Sequence, residues 1–479
     1  MIEQLALYWP YISSALVLMM AVAAGAHAVM FKRNPRSALL WLAVTIILPL
    51  IGPILYLLFG INRVKRKTAG LQHNTLAMRK MLVEDDICTP QAVAETLGQK
   101  ARYLGTQARA VENITSLPLL RGNSMEVLVN GEEVYPAMLA AIDAAQKSIT
   151  LCTYIFAGDK TGKKFVQALA AAVERGVEVR VLVDYVGSRY SFPPIGQRLQ
   201  KKNIRHAYFL PTINPLHTTY ANMRNHRKIL VVDGLTGFTG GINIRTGEKS
   251  HQIQDLHFRL QGPVVSELQQ AFVEDWAFAS GERLSGIPWF AHHPYPGHIL
   301  ARGISDGPDE DYDKLRQVML SVISCARREI RIITPYFLPD SDLIAALNTA
   351  SLRGVKVEIL IPQQNNLRLV GWAMRAHLWQ ILERGCKVYC TASPFDHSKA
   401  MVVDGLWSLT GSTNWDPRSL RLNFEFCVEA YDKQLAMQLN ALLDAKREKA
   451  REITLQDVDS RIMPVRLRDG FARLFFPYL

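Results

Sequence analysis

The sequence predicts an α/β protein made of two similar lobes related by pseudo-twofold symmetry, preceded by a two-helix transmembrane hairpin. Three observations carry this. Two long uncharged apolar stretches fill the first 61 residues; β-rich apolar runs then alternate with Ala- and Leu-rich amphipathic stretches; and one His-x-Lys block occurs twice. The expected divisions are a hairpin over 1–67, a linker over 68–123, a first half over 124–300 and a second half over 301–479.

Composition narrows the class. The chain has 479 residues, with 55 Lys plus Arg against 43 Asp plus Glu, a formal charge of +12. That excess predicts an anionic partner: nucleic acid, an anionic membrane surface or a phosphorylated substrate. With 20% charged and 49% apolar residues, a largely disordered chain and a small disulfide-stapled one are both excluded. The six cysteines are scattered without a CxxC pair, and only Cys386 and Cys390 lie close together. This is the usage of buried thiols in a reducing compartment rather than of a zinc site.

Between Gln4 and Phe31 there is no Asp, Glu, Lys or Arg, and a second uncharged stretch runs from Ser37 to Ile61. Each exceeds the roughly 20 apolar residues that cross a hydrocarbon core of about 30 Å. Only Lys32-Arg33-Asn34-Pro35-Arg36 separates them, so they are expected to pair as a hairpin. The start, Met1-Ile2-Glu3, lacks a basic n-region, which argues against a cleaved leader. Pro49, Gly52 and Pro53 interrupt the second stretch and predict a kink or re-entrant turn. Arg63, Lys65, Arg66 and Lys67 at its exit outnumber the three basic residues of the connecting turn. That balance favours a cytoplasmic side for the large remaining part.

The remainder repeats itself. RGVEVRVLVDY from Arg175 and RGVKVEILIPQ from Arg353 each follow a helical pattern and read as a helix stop feeding a buried strand. SITLCTYIF and EIRIITPYF lie upstream, aligning Thr153 with Thr334 and Phe156 with Phe337, with Tyr154 and Tyr336 one position apart. HRKILVVDGLTGFTGGINI from His226 and HSKAMVVDGLWSLTGSTNW from His397 share ten of nineteen positions. Core strands account for shared valines, not for His, Lys, Asp and Asn recurring at fixed spacing.

Symmetric halves place equivalent loops face to face, so both His-x-Lys units are expected to line one cleft. His226 and Lys228, like His397 and Lys399, are two apart and share a strand face. One neutral imidazole can attack while a second, protonated, gives its proton to a leaving oxygen. Two lysines can neutralise a phosphoryl group where other enzymes use metal ions. Asn243 and Asn414, each 17 residues after its histidine, are candidate donors to phosphate oxygens. Asp255 and Glu425 are candidates to hold an imidazole in its tautomer.

The pattern H-x-K-x4-D-x6-G-[GS]-x-N, present twice, resembles the phospholipase D superfamily signature. With PRSALLWLAVTIILPLIGPILYLLFG in the hairpin, the chain is similar over essentially its whole length to the bacterial cardiolipin synthases. The resemblance implies a duplicated phospholipase D-like fold and a phosphatidyltransferase that joins two phosphatidylglycerol molecules into cardiolipin and glycerol, without metal or other cofactor. It implies a multi-pass protein of the bacterial inner (cytoplasmic) membrane. The implied partners are phosphatidylglycerol and other anionic lipids; nucleic acid is not expected, and the oligomeric state is open.

By the same resemblance His226 forms a phosphatidyl-histidine and His397 protonates the departing glycerol, then deprotonates the incoming one. Lys228, Lys399, Asn243 and Asn414 cradle the phosphoryl oxygens. Asp233 and Asp404 complete the catalytic motif, more as fold residues than as reactants. Nothing in the sequence prevents exchange of the two histidine roles. Hydrolysis by the same histidines, a non-catalytic scaffold and phosphatidylserine synthesis stand as alternatives.

Three further features invite interpretation. Arg198, Lys201, Lys202, Arg205, Arg224 and Arg227 form a basic cluster, either solvated or facing headgroups. LRLVGWAMRAHLWQILERG from Leu367 reads as a core-plus-surface helix that could also dip into an interface. The end, MPVRLRDGFARLFFPYL, interleaves Arg with large aromatics and reads as an interfacial anchor or docking tail.

Overall fold

The computed structural model describes residues 2–32, 35–60, 86–211, 222–248, 251–309 and 311–476. Arg63, Lys65, Arg66 and Lys67, residues 68–85 of the expected linker and Tyr478 lie outside them. The chain divides into one unit of Met1–Val64 with Leu210–Met223 and another of Lys65–Phe209 with Arg224–Leu479.

In the first unit a helix spans Ile2–Phe31. Its Tyr8–Phe31 portion, 24 residues of mean hydropathy 2.0, is long and apolar enough to cross a membrane. Ala21, Gly25 and Ala28 form a small-residue face on it, all buried. A Cβ on Gly25 would stand 2.9 Å from Leu42 Cδ1, so glycine lets the helix Pro35–Ile47 pack closely there. The second stretch is not one helix. It stops at Ile47, resumes over Ile51–Leu55 and ends in a π-turn at Tyr56–Gly60. Pro49 and Pro53 cannot donate to a helical ladder. A Cβ on Gly52 would meet Val44 O at 2.5 Å, so the break folds back on the preceding turn. His27 Nδ1 meets Tyr56 Oη at 2.8 Å and ties the π-turn to the first helix.

The second unit is a mixed sheet with helices against it, and one strand order appears twice. The first set runs Leu119–Val129, Leu256–Gln261, Thr236–Gly240, Ile229–Val232, Ser148–Thr153, Glu178–Asp184, His206–Phe209. The second runs Ile299–Asp306, Asn423–Tyr431, Trp407–Gly411, Ala400–Val403, Glu329–Ile333, Lys356–Pro362, Lys387–Thr391, with Arg451–Ile453 added at the edge. In each set the last three of the seven corresponding strands are parallel. The first two of those three are buried on both faces, which is why they read as unbroken apolar runs. The strand Leu119–Val129 pairs with both sets and joins them.

The repeated Arg-Gly-Val has a local cause. Gly176 and Gly354 take positive φ, 86° and 89°, and end the helices Lys160–Glu174 and Ser341–Leu352. The preceding arginines cap neighbouring helix ends, Arg175 on Ile142 O and Arg353 on Ile323, Ser324 and Ala326 carbonyls. Asp159 and Asp340 cap the starts of the same two helices.

Two expectations change here. The described part of the linker is core: Val93, Leu104, Ala108 and Val111 pack with Val318, Val322 and Ile330 of the second strand set. Its helix Leu104–Thr115 is amphipathic, so only distant partners distinguish it from a solvated linker helix. Arg227 belongs to no surface patch. It is fully buried, paired with Asp275 at 2.9 Å and bonded to Glu425 O and Ser305 Oγ.

Candidate active site

Two short parallel pairings build the site. Arg224–Asn225 pairs with Asn423–Phe424, and Phe395–Asp396 pairs with Ile253–Gln254. The ladders run one residue further, His226 N donating to Phe424 O (2.9 Å) and His397 N to Gln254 O (2.7 Å). Each histidine is thus laid beside a segment of the other half that carries a carboxylate, Glu425 within its strand and Asp255 directly after Ile253–Gln254. His226 Nδ1 lies 3.0 Å from both oxygens of Glu425. His397 Nδ1 lies 2.7 Å from Asp255 Oδ2. The expected imidazole-holding residues do hold imidazoles, in crossed fashion. With Nδ1–H donated to a carboxylate, Nε2 is the ring nitrogen left for chemistry.

The lysines follow on the same strand faces, both buried. Lys228 Nζ donates to His226 O at 2.7 Å. Lys399 Nζ donates to His397 O at 2.5 Å and lies 2.9 Å from His397 Nδ1. Tyr154 stands edge-on to His226 (5.3 Å between centroids), with the Lys228 ammonium 5.7 Å from its ring. Tyr336 takes the corresponding place beside His397 at 6.1 Å.

Asn243 and Asn414 are buried at the equivalent turns, each immediately before a bridge residue, Ile244 to Phe156 and Trp415 to Phe337. Asn243 Oδ1 accepts from Ile155 N (3.2 Å). Asn414 Nδ2 donates to Ser419 Oγ (3.1 Å), while its Oδ1 has no partner among the described residues.

Asp233 and Asp404 do not join the site, which corrects their grouping with the catalytic residues. They lie beyond the far ends of the strands Ile229–Val232 and Ala400–Val403, about 16 Å of extended chain from the lysines. Both adopt positive φ, 54° and 55°. Asp233 accepts from the amides of Gln146, Lys147 and Ser148. Asp404 accepts from those of Arg327, Arg328 and Glu329 and from the Tyr103 hydroxyl.

Burial sets the protonation states. It lowers His226, with both lysines acting the same way and Glu425 opposing; it lowers His397 well below the ordinary histidine value, again reinforced by the lysines. Burial therefore favours the neutral form of both imidazoles. Burial also brings Lys228 down to about 7 and lowers Lys399, against the pull of the carboxylates. Burial raises Asp255 to about 6, whereas His226, Lys228 and Ser412 overcome burial at Glu425 and lower it. Such a site gains most from an anion that restores charge to its lysines.

Two contributors stand outside the predicted site residues, and one of them, Glu248, escaped the sequence reading. Glu248, five residues after Asn243, is fully buried, holds Arg245 at 2.7 Å and acts electrostatically on both lysines and on His397. Ser419 holds the same offset from Asn414, so the second block offers no carboxylate to reveal it by repetition. Ser412 Oγ donates to Glu425 Oε2 at 2.5 Å. Ser412 stands where the first block has Gly241, so the sequence already shows one hydroxyl donor more in the second block.

A family model described as "Cardiolipin synthase, PLD-like domain" matches residues 138–276 and 319–446, and one described as "Phospholipase_D-nuclease N-terminal" matches 20–60. The chain is 32% identical over 460 residues to the major cardiolipin synthase ClsA of Bacillus subtilis, covering 94% of this chain and 95% of that one. It is 31% identical over 474 residues to cardiolipin synthase A of Pseudomonas putida, covering 97% of each. Among solved structures, phosphatidylserine synthase from Haemophilus influenzae superposes with a TM-score of 0.63 at 16% identity, over 78% of this chain and all of that one, a likeness of fold. By matched domain and near-full-length identity, the chain belongs to the cardiolipin synthase family of the phospholipase D superfamily.

Proposed function

We propose that this phosphatidyltransferase moves a phosphatidyl group from one phosphatidylglycerol to the glycerol headgroup of a second, giving cardiolipin and glycerol. The crossed pairing of His226 with Glu425 and His397 with Asp255 carries the reading, because it supports two imidazoles working on one phosphorus. Halves over 124–300 and 301–479, related by pseudo-twofold symmetry, each supply one His-x-Lys unit. His226 Nε2 attacks phosphorus, the bond to the glycerol oxygen breaks, and that oxygen takes a proton from His397. The second glycerol then gives its hydroxyl proton to His397, attacks phosphorus and breaks the phosphorus–nitrogen bond.

Lys228 and Lys399 neutralise the phosphoryl oxygens, and the anion in turn favours their protonated forms and that of His397. Asn243 and Asn414 line the same oxygens. Glu425 and Asp255 hold each ring so that Nε2 meets phosphorus. Substrate phosphatidylglycerol reaches the site from the membrane that holds the amino-terminal segments. The helix Ile2–Phe31 crosses it. Pro35–Ile47 and Ile51–Gly60, about 20 and 15 Å long, return beside it as a broken second pass, with the catalytic part on the cytoplasmic face of the inner membrane.

The test is the purified chain with phosphatidylglycerol alone, in chelator. Cardiolipin and glycerol in equal amounts are expected. Phosphatidic acid as sole product would mean hydrolysis, and no turnover without added metal would contradict the mechanism.

A further inference from the structure

The carboxy-terminal helix Met463–Arg473 is anchored by one side only. Asp469 and Ala472 are buried, and Asp469 pairs with Arg461 and Arg468. The helix packs on Arg368–His377, where the Arg468 guanidinium lies 4.5 Å from the Trp372 ring and Phe476 stacks on His377 at 5.5 Å. These contacts fix which face turns outward. On it Met463, Leu467 and Phe471 recur every fourth residue and are 65, 66 and 62% exposed, and Leu474 adds 72%. Arg466 and Arg473, both exposed, run alongside. Leu369 and Trp379 of the neighbouring segment are partly exposed as well.

A continuous apolar stripe on a packed helix is more than scattered surface leucines require. Its occupant is argued from charge: an apolar stripe bordered by arginines complements acyl chains bordered by anionic headgroups. A protein partner would supply carboxylates instead, and the enzyme's own substrate is an anionic lipid.

We propose that Met463–Arg473 lies in the plane of an anionic bilayer surface, with Leu467 and Phe471 among the acyl chains and Arg466 and Arg473 at the phosphates. This contact is separate from the amino-terminal apolar helix and stands whether or not the phosphatidyl-transfer reading does.

The full chain, with the partly exposed Cys325 and Cys390 replaced by serine, is reconstituted in vesicles of phosphatidylcholine with one-quarter phosphatidylglycerol. A nitroxide is attached at Phe471→Cys or, for reference, at Leu352→Cys, an exposed position on the body (71%). Power-saturation resonance then compares collision with oxygen and with a water-soluble nickel chelate. Nickel access at 471 is expected to be several-fold below that at 352, with oxygen access above it, and Arg466→Glu with Arg473→Glu should erase the difference. Equal nickel access at both positions would overturn the proposal, as would spin–spin broadening showing that a second copy of the chain covers the helix. As a functional readout, Leu467→Glu with Phe471→Glu should lower turnover of vesicle-borne phosphatidylglycerol about tenfold while sparing detergent-dispersed substrate. Equal loss on both presentations would count against it.

Discussion

Gly241 and Ser412 occupy the same place in the two blocks yet answer different carboxylates. Ser412 Oγ donates to Glu425, the residue that holds His226. A Cβ at Gly241 would fall 2.2 Å from Asp255 Oδ1, the residue that holds His397, so only glycine leaves that carboxylate in place. Gly241→Ala should therefore displace Asp255 and cut turnover about 10- to 100-fold, the scale of a lost hydrogen bond to a charged group, with a small change in thermal midpoint. Ser412→Ala should cost about tenfold by the same reasoning. Turnover at saturating substrate checks both. The pH profile tests the electrostatics. His226, lowered by burial, stays neutral down to a more acidic pH, so the acid limb of kcat/KM should lie below the ordinary histidine value. His397, which must carry the proton it gives up, is lowered well below the ordinary histidine value. Lys228, lowered to about 7, loses its charge as pH rises. The alkaline limb of kcat/KM should therefore already be under way by neutrality in the free enzyme. A flat profile up to the ordinary lysine range would refute that arrangement.

At the scale of elements, the motif aspartates hold turns rather than substrate. Asp404→Ala removes the acceptor of three backbone amides and should destabilise the fold by about 1–3 kcal/mol, while kcat per folded molecule stays close to normal. Thermal denaturation with active-site titration separates the two, and a fall in kcat without destabilisation would return Asp404 to the chemistry. The elements themselves were largely legible. Gly176 and Gly354 marked real helix ends, and the paired valines marked strands buried on both faces. The break in the 37–61 stretch was legible too, since Pro49, Gly52 and Pro53 predict a kink and the stretch divides into short helices there. What misled was context. The helix Leu104–Thr115 shows an apolar face without naming its partner, and that partner lies some 200 residues away. Arg227 looked like surface charge because its acceptors, Asp275 and the Glu425 carbonyl, lie 48 and 198 positions away in sequence.

At the scale of the molecule, the repeat announced two equivalent sets of residues but not their exchange. His226 and Glu425 are separated by 199 positions, and His397 and Asp255 by 142. Spacing within each block pairs every histidine with its own half, whereas the two cross-pairings of strands reverse that. The reversal makes the halves interdependent: neither His-x-Lys unit has an oriented imidazole without the other half's carboxylate. This sharing brings the two motifs together. The most direct test uses phosphatidylglycerol labelled at phosphorus, quenched within one turnover and mapped by mass spectrometry under alkaline conditions that preserve phosphohistidine. The label is expected on His226, absent in His226→Ala, and discharged into cardiolipin on adding unlabelled phosphatidylglycerol. Label on His397 would reverse the two roles, and no adduct on either histidine during turnover would contradict the central claim.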